Sequence, residues 1–425
     1  MRKVIVVGTG LAGLSLAYHL KKRGIRFLVF EKSKQIGGLA SSKKLSNFIF
    51  DYSGHLLHFK NKKLFNFVRG FLGRDLIRHK RNSTIYFFQS FIPYPFQVNL
   101  FALPEKIKEK CLKDFIEAHN KRIEINNFYD WIMKNFGKGI GNYFMFPYNN
   151  KFWTVPLENL TYFWTNGLIP VPTVKEIIRR AERKINKDFG YNAFFWYPKR
   201  GISDISLALA KEVKNIFTQC EIKKIDLKNK KVRLANNSWE KYDYLFSSIP
   251  LPELPKLIKD MPQEILSLCK KLRWNSIFNI NLGIDGEVKL PYHWIYFPEK
   301  RFSFYRVGFY HNFSSKIVPK GKSSIYIEIS YSKFKPINKK EIISVAIKDL
   351  IKVGILKGEE NILVKDINDI KYGYPIYDFN YEMARGKILD YLKEKNIISF
   401  GRYGSWRYMS MEDVLGEGED IAMNL

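Results

Sequence analysis

"KVIVVGTGLAGLSLAYHLKKRGIRFLVFEKS", residues 3–33, decides the fold. "VIVV" is a buried-strand run that ends at Gly8. The pattern Gly8-Thr9-Gly10-Leu11-Ala12-Gly13 then opens a segment with Leu14, Ala17, Tyr18 and Leu20 at helical spacing. A second apolar strand, "RFLVF", ends at Glu31. The glycines serve three physical ends, namely the tight turn, close backbone approach to a pyrophosphate, and close packing of helix on strand. The helix N-terminus offers unpaired N–H groups to the phosphates. Glu31, about 20 residues on, is placed to accept hydrogen bonds from ribose hydroxyls. A lone glycine pattern would be weak, but strand, glycines, helix, second strand and acid all fall in register. The expected fold is α/β, a doubly wound parallel sheet that binds a dinucleotide.

Outward from this unit, 425 residues are long for one core, so two or three domains are expected. The longest apolar runs are strand-sized, far short of the ~20 residues of a membrane helix. The first strand begins at about Lys3, so no cleavable leader is expected. Cys111, Cys220 and Cys269 lie far apart without metal-ligand spacing. We therefore expect a cytoplasmic protein with neither disulfides nor a metal site. The net charge of +30 is spread in short lysine blocks along the chain. No nucleic-acid module accompanies it, so no nucleic-acid partner is expected. Such a surface would steer anionic metabolites or anionic membrane surfaces toward the protein.

After Glu31 comes "KSKQIGGLASS", with a second glycine pair, Gly37-Gly38. A plain nicotinamide site does not need that pair. The spacing resembles the E-x(5)-G-G-x-x-S motif of two-dinucleotide-fold flavoproteins of the amine oxidase and desaturase type. This resemblance implies FAD, bound non-covalently, with Gly37 and Gly38 bringing a second backbone turn near it.

Further on, "FIFDYSGHLLHF" (48–59) reads as a strand broken at Ser53-Gly54-His55, where Gly54 would let the backbone approach a flat ring edge-on. "NSTIYFFQSFIPYPFQVNL" (82–100) reads as an aromatic hairpin. Residues 104–119 and 127–136 read as amphipathic helices. The stretch 144–172 is dense in aromatics and prolines, mostly core material. Tyr148, Asn149, Lys151 and Trp153 nonetheless mix polar tips with ring faces, as a nucleotide pocket would. Residues 190–213 read as strand, turn and helix, and 275–331 as a mainly antiparallel sheet. We divide the chain into a discontinuous dinucleotide-binding domain (1–78, 190–250, 366–425), a helical insert (96–148) and a substrate-side sheet domain (79–95, 149–189, 251–365).

Nine collinear motifs then resemble one family, the FAD-dependent UDP-galactopyranose mutases, closest to the branch first seen in eukaryotes. They are "GTGLAGLSLAYHL", "EKSKQIGG", "SGH", "IPYPFQVNL", "FPYNNKFWTVP", "YNAFFWYP", "FYRVGFY", "YGYPIY" and "GRYGSWRY". The resemblance implies interconversion of pyranose and furanose forms of a UDP-sugar, in the biosynthesis of cell-surface polysaccharide. Reduced flavin N5 would be the covalent nucleophile, with no net redox and with NAD(P)H as a candidate reductant. That agrees with the lack of a Ser/His/Asp or Cys/His grouping. Oligomerisation is left open.

Carried over residue by residue, the resemblance places Gly8, Gly10, Leu11, Ala12, Gly13, Glu31, Lys32, Gly37, Gly38, Leu39 and Ala40 at the cofactor. Gly54, His55, Gly401, Arg402, Tyr408 and Met411 join them. It places Gln97, Tyr148, Trp153, Asn192, Tyr296, Arg306, Tyr374 and Tyr408 at the substrate. His55 and Arg306 carry the catalytic expectation. Arginine forks suit phosphate because they pair in two-pronged fashion and stay charged. Trp406 and Arg407 are left to packing and surface. One departure stands out: where the family has an arginine reaching the diphosphate, this chain has Leu168. It keeps open a redox flavoenzyme of the amine oxidase, desaturase or protoporphyrinogen oxidase type.

Overall fold

The computed structural model describes residues 3–183 and 193–425. The β-branched strand Val4–Val7 is buried along its whole length, as a parallel strand covered on both faces must be. It lies at the centre of a five-stranded sheet, between Tyr244–Ser247 and Phe27–Phe30, with Ile397–Ser399 and Ile216–Phe217 at the edges. Every pairing in it is parallel. Helix Leu11–Lys22 connects the first two strands, with Leu14, Leu16, Ala17 and Leu20 completely buried. The doubly wound reading of the opening stretch is thus the observed architecture.

A second sheet of seven strands runs Ile362–Pro375, Trp274–Ile284, Ser323–Tyr331, Arg306–Phe309, Trp294–Tyr296, Ser83–Phe87 and Ser90–Pro93. It is antiparallel except where Trp294–Tyr296 lies beside Ser83–Phe87. The aromatic hairpin therefore forms as expected and becomes the sheet's edge. Trp274–Ile284 is buried almost throughout, whereas Ile362–Pro375 alternates between buried and exposed positions. The first has both faces covered and the second shows one face to water. The strand Ile362–Pro375 lies whole in this sheet and runs across the boundary drawn at 365/366. Helix Glu341–Lys352 packs Ala346, Ile347 and Leu350 against Ile325 and Ile327 on one face. The other face is left for the site.

The insert folds as helices Glu105–Asn120 and Phe128–Ile140. They pack so closely that a Cβ on Gly139 would lie 2.8 Å from Cys111 Cα. A π-turn, Gly141–Met145, leads into helix Phe146–Trp153. The closing helix, Met411–Met423, starts with a reciprocal Ser410–Asp413 capping box. It packs on the first helix, where the Ser15 hydroxyl donates to the Leu415 carbonyl at 2.6 Å. The two ends of the described chain thereby meet beside the parallel sheet.

Candidate active site

The site begins at the glycines. Gly8 holds φ +96°, and a Cβ on Gly13 would lie 2.0 Å from the Gly8 carbonyl oxygen, so helix and strand need glycine to come this close. The helix starts at Gly10 with no capping side chain and no acid in its first turn. Its leading N–H groups are left for an anion. The Gly37 N–H donates to the Thr9 carbonyl at 2.9 Å, which folds the second glycine pair back onto the first. Buried Glu31 is fixed in turn: one oxygen accepts from the Thr9 N–H at 2.9 Å and hydroxyl at 2.8 Å, the other from the Ser33 N–H at 2.8 Å.

These groups open into a cavity of about 1600 Å³ that continues from the cradle to the seven-stranded sheet. Gly8, Gly10, Leu11, Ala12, Glu31, Lys32, Gly37, Gly38, Leu39 and Ala40 line one part. Gly54, His55, Gly401, Arg402, Tyr408 and Met411 line it further along, as do Tyr296, Arg306, Tyr374 and Leu168. A site read from scattered motifs is one continuous space.

His55 hangs from a constrained turn. Ser53 before it holds φ +78° and donates its hydroxyl to Glu328. A Cβ on Gly54 would lie 2.4 Å from the Tyr326 hydroxyl, so the flat ring that the backbone approaches here is a tyrosine. His55 Nδ1 lies 3.2 Å from the Ser53 carbonyl; in the neutral ring it donates there and leaves Nε2 as an acceptor. Burial pushes the His55 pKa down to about 4, reinforced by the nearby charges of Arg402 and Arg306. Behind the turn, burial raises Asp51 to about 6, while Ser42, Tyr197 and the Ile202 N–H donate to its carboxylate.

The sheet supplies the opposite chemistry. Tyr296, Arg306 and Glu328 are direct neighbours on three adjacent strands, so their side chains share one face. Arg306 donates to Glu328 through both Nε and Nη2, the latter at 2.7 Å, and Glu328 is only 1% exposed. The remaining guanidinium N–H groups are available to a ligand. Tyr374 and Tyr408 stack with centroids 6.1 Å apart. The Arg402 guanidinium lies 4.7 Å and 4.9 Å from those two rings, and its buried Nε has no partner in the structure. Its Nη atoms reach the carbonyls of Gly373 and Met409 at 3.3 and 3.4 Å.

Four expected residues stand off the cavity wall. Gly13 acts through helix packing. Gln97 is buried and donates to the Pro170 carbonyl at 2.9 Å, holding the end of the loop that carries Leu168. Tyr148 stacks with Phe144 and Phe152 and meets Tyr296 edge-on. Trp153 is buried behind Trp164, Tyr374 and Tyr377, its indole N–H unpartnered in the structure. These are the cavity's backing. Asn192 lies outside the described residues. Trp406 is fully buried against Trp274 and Tyr372, and Arg407 pairs with Glu417 at 3.2 Å.

Sequence reasoning missed Glu328 and Glu412. Glu328 is the lone charged residue in the strand run "SSIYIEISY", a pattern that itself calls for a buried partner. Glu412 accepts the Lys60 and Asn61 N–H groups at 2.9 and 2.7 Å and ties the chain beyond His55 to the closing helix. No local signal marked it.

A dinucleotide cradle that opens into an arginine- and tyrosine-walled cavity beneath an antiparallel sheet defines a flavoenzyme fold. The chain belongs to the flavin containing amine oxidoreductases, whose family profile matches residues 11–366. Among curated proteins it is similar to 1-hydroxycarotenoid 3,4-desaturase of Flavobacterium sp. (strain P99-3), 43% identical over 51 residues. That match takes in 12% of this chain and 10% of the desaturase. Among solved structures it is similar to a reduced UDP-galactopyranose mutase, with a TM-score of 0.95 and 28% identity. The match covers 99% of this chain and 95% of the mutase. It shares the fold of a putative protoporphyrinogen oxidase from Exiguobacterium sp. 255-15, with a TM-score of 0.78 and 14% identity over 100% and 98% of the two chains. FAD fits the residues present, since the uncapped helix start, the fixed Glu31 carboxylate and the doubled glycine turn all border the cavity.

Proposed function

We propose that this protein is a cytoplasmic sugar-nucleotide mutase that interconverts the pyranose and furanose forms of a UDP-sugar, of the kind first seen in eukaryotes. One observation carries the reading: Arg306 and Tyr296 from the sheet share a cavity wall with Arg402, Tyr374 and Tyr408. That wall suits a diphosphate. An oxidase for an apolar or amine substrate has no use for it. Likeness to the mutase structure over nearly the whole chain supports the same reading.

Bound and reduced, FAD would supply a nucleophilic N5 for the sugar's anomeric carbon, with no net electron transfer. The chain's own residues position and neutralise. Arg306, oriented by Glu328, pairs its outward N–H groups with phosphate oxygens and stabilises the charge of the departing UDP. Tyr296, Tyr374 and Tyr408 donate hydroxyls to the same diphosphate. Arg402, held beside the Tyr374 and Tyr408 rings, would add a positive charge for the cofactor. His55 is neutral at pH 7 and leaves Nε2 as an acceptor in the cavity, where it would serve the cofactor.

The second reading, an FAD-dependent oxidoreductase, draws on Leu168, which adds an apolar side chain to the same wall. Titrating the purified yellow protein with UDP and UMP separates the two. The mutase reading expects UDP to perturb the flavin spectrum, and UMP to do so more weakly. An absent UDP response, with bleaching by a polyamine and reoxidation by oxygen, would support the oxidase.

A further inference from the structure

Leu168 leaves the cavity wall without a cation where the resemblance has one. The loop carrying it begins at Thr161, whose N–H and hydroxyl donate to the Tyr377 carbonyl at 2.7 and 3.0 Å. Trp164 of the same loop stacks on the Tyr377 ring, with centroids 5.9 Å apart. Tyr377 leads directly into helix Tyr381–Glu394, and from that helix Arg385 reaches the same cavity wall as Leu168 and Tyr408.

Arg385 is built as a held but unspent cation. Its Nε donates to the Ser405 carbonyl at 2.6 Å, which fixes the plane of the guanidinium beside the 401–408 segment. Its ion-pair partner is Glu382 at 3.9 Å, and Glu382 is 78% exposed while Arg385 is 21% exposed. A pair that long and that wet neutralises little. Arg407, on the same wall, is half-exposed and committed to Glu417 at 3.2 Å. Arg385 therefore keeps its Nη edge free for an anion, beside Arg402, whose Nη atoms already reach the carbonyls of Gly373 and Met409.

We infer that Arg385 forms a phosphate subsite: it binds the substrate's diphosphate from the helix, in place of the loop arginine that Leu168 has lost. This rests on the nucleotide-sugar reading above. A leucine cannot pair with phosphate, whereas a guanidinium held through Nε still presents its Nη edge for paired hydrogen bonds.

The test is the dissociation constant of UDP, read from the flavin spectrum of the FAD-loaded protein. Arg385→Gln keeps an N–H donor for the Ser405 carbonyl and removes the charge. It should weaken UDP about tenfold to a hundredfold, the range expected when a charged hydrogen bond is lost. Lys387→Gln makes the same change of charge two residues away, on a side chain 57% exposed and off the cavity, and should stay within about twofold. Adding Leu168→Arg to Arg385→Gln should restore most of the affinity. An intact flavin spectrum and unchanged melting temperature in each variant separate lost binding from lost folding. Equal affinities for UDP in the parent and Arg385→Gln would overturn this inference and leave the mutase reading standing. A parent protein blind to UDP would remove both.

Discussion

Glu328 sits inside a buried strand because three donors neutralise or bond it: Nε and Nη2, on one edge of the Arg306 fork, and the Ser53 hydroxyl. Arg306→Met should therefore cost roughly 3–5 kcal/mol in urea unfolding, because it leaves a carboxylate buried without its cation. Adding Glu328→Gln should recover much of that loss, since both charges are then gone. His55 makes stability depend on pH. Its folded pKa of about 4 lies below its unfolded value of 6.5, so the unfolded chain binds more protons between the two. The contribution of neutral His55 is present above pH 6.5 and is lost as pH falls through 4. Comparing melting temperatures of the parent and His55→Gln across pH 4–7 should show the parent losing more on acidification. At this scale the sequence was partly legible. Glu31, the glycines and Arg306 lie in motifs that announce themselves. Glu328 announced only a need for a partner, and which partner depends on strand register.

The first strand, turn and helix, Val4–Lys22, form a single contiguous unit. Periodicity and glycine placement therefore suffice to read it. Gly13→Ala should push helix Leu11–Lys22 off its strand, costing about 1–3 kcal/mol and weakening FAD retention. Gly70, within helix Lys62–Leu72, has open space where a Cβ would go. Gly70→Ala should instead stabilise by about 0.5–1 kcal/mol. Thermal melts with flavin quantification check both. The place of segment 401–408 becomes clear only once its strand is paired. Ile397–Ser399 joins the parallel sheet beside Tyr244–Ser247, so the residues after it fall at the sheet's ligand-binding end. Gln97 and Trp153 were legible as site motifs, but their place one layer behind the wall is set by packing that no local pattern reports.

Across the whole molecule, the cavity draws on strands and loops from both ends of the chain. Tyr296 and Tyr374 come from two strands of the seven-stranded sheet and Tyr408 from the segment after the parallel sheet's edge strand, yet all three line one cavity. Their convergence could be expected from motif resemblance and not from spacing alone. The net charge of +30 belongs to this scale as well. It should speed capture of an anionic nucleotide by long-range attraction, so stopped-flow association of UDP should slow as salt rises, while association of uridine should not. If the cavity serves a ring-contraction reaction at a reduced flavin, turnover will show it. The purified protein, photoreduced without oxygen, should convert UDP-galactofuranose to UDP-galactopyranose, and the oxidised protein should not. Reduced, FAD-loaded protein that binds UDP yet leaves UDP-galactofuranose unchanged would contradict it.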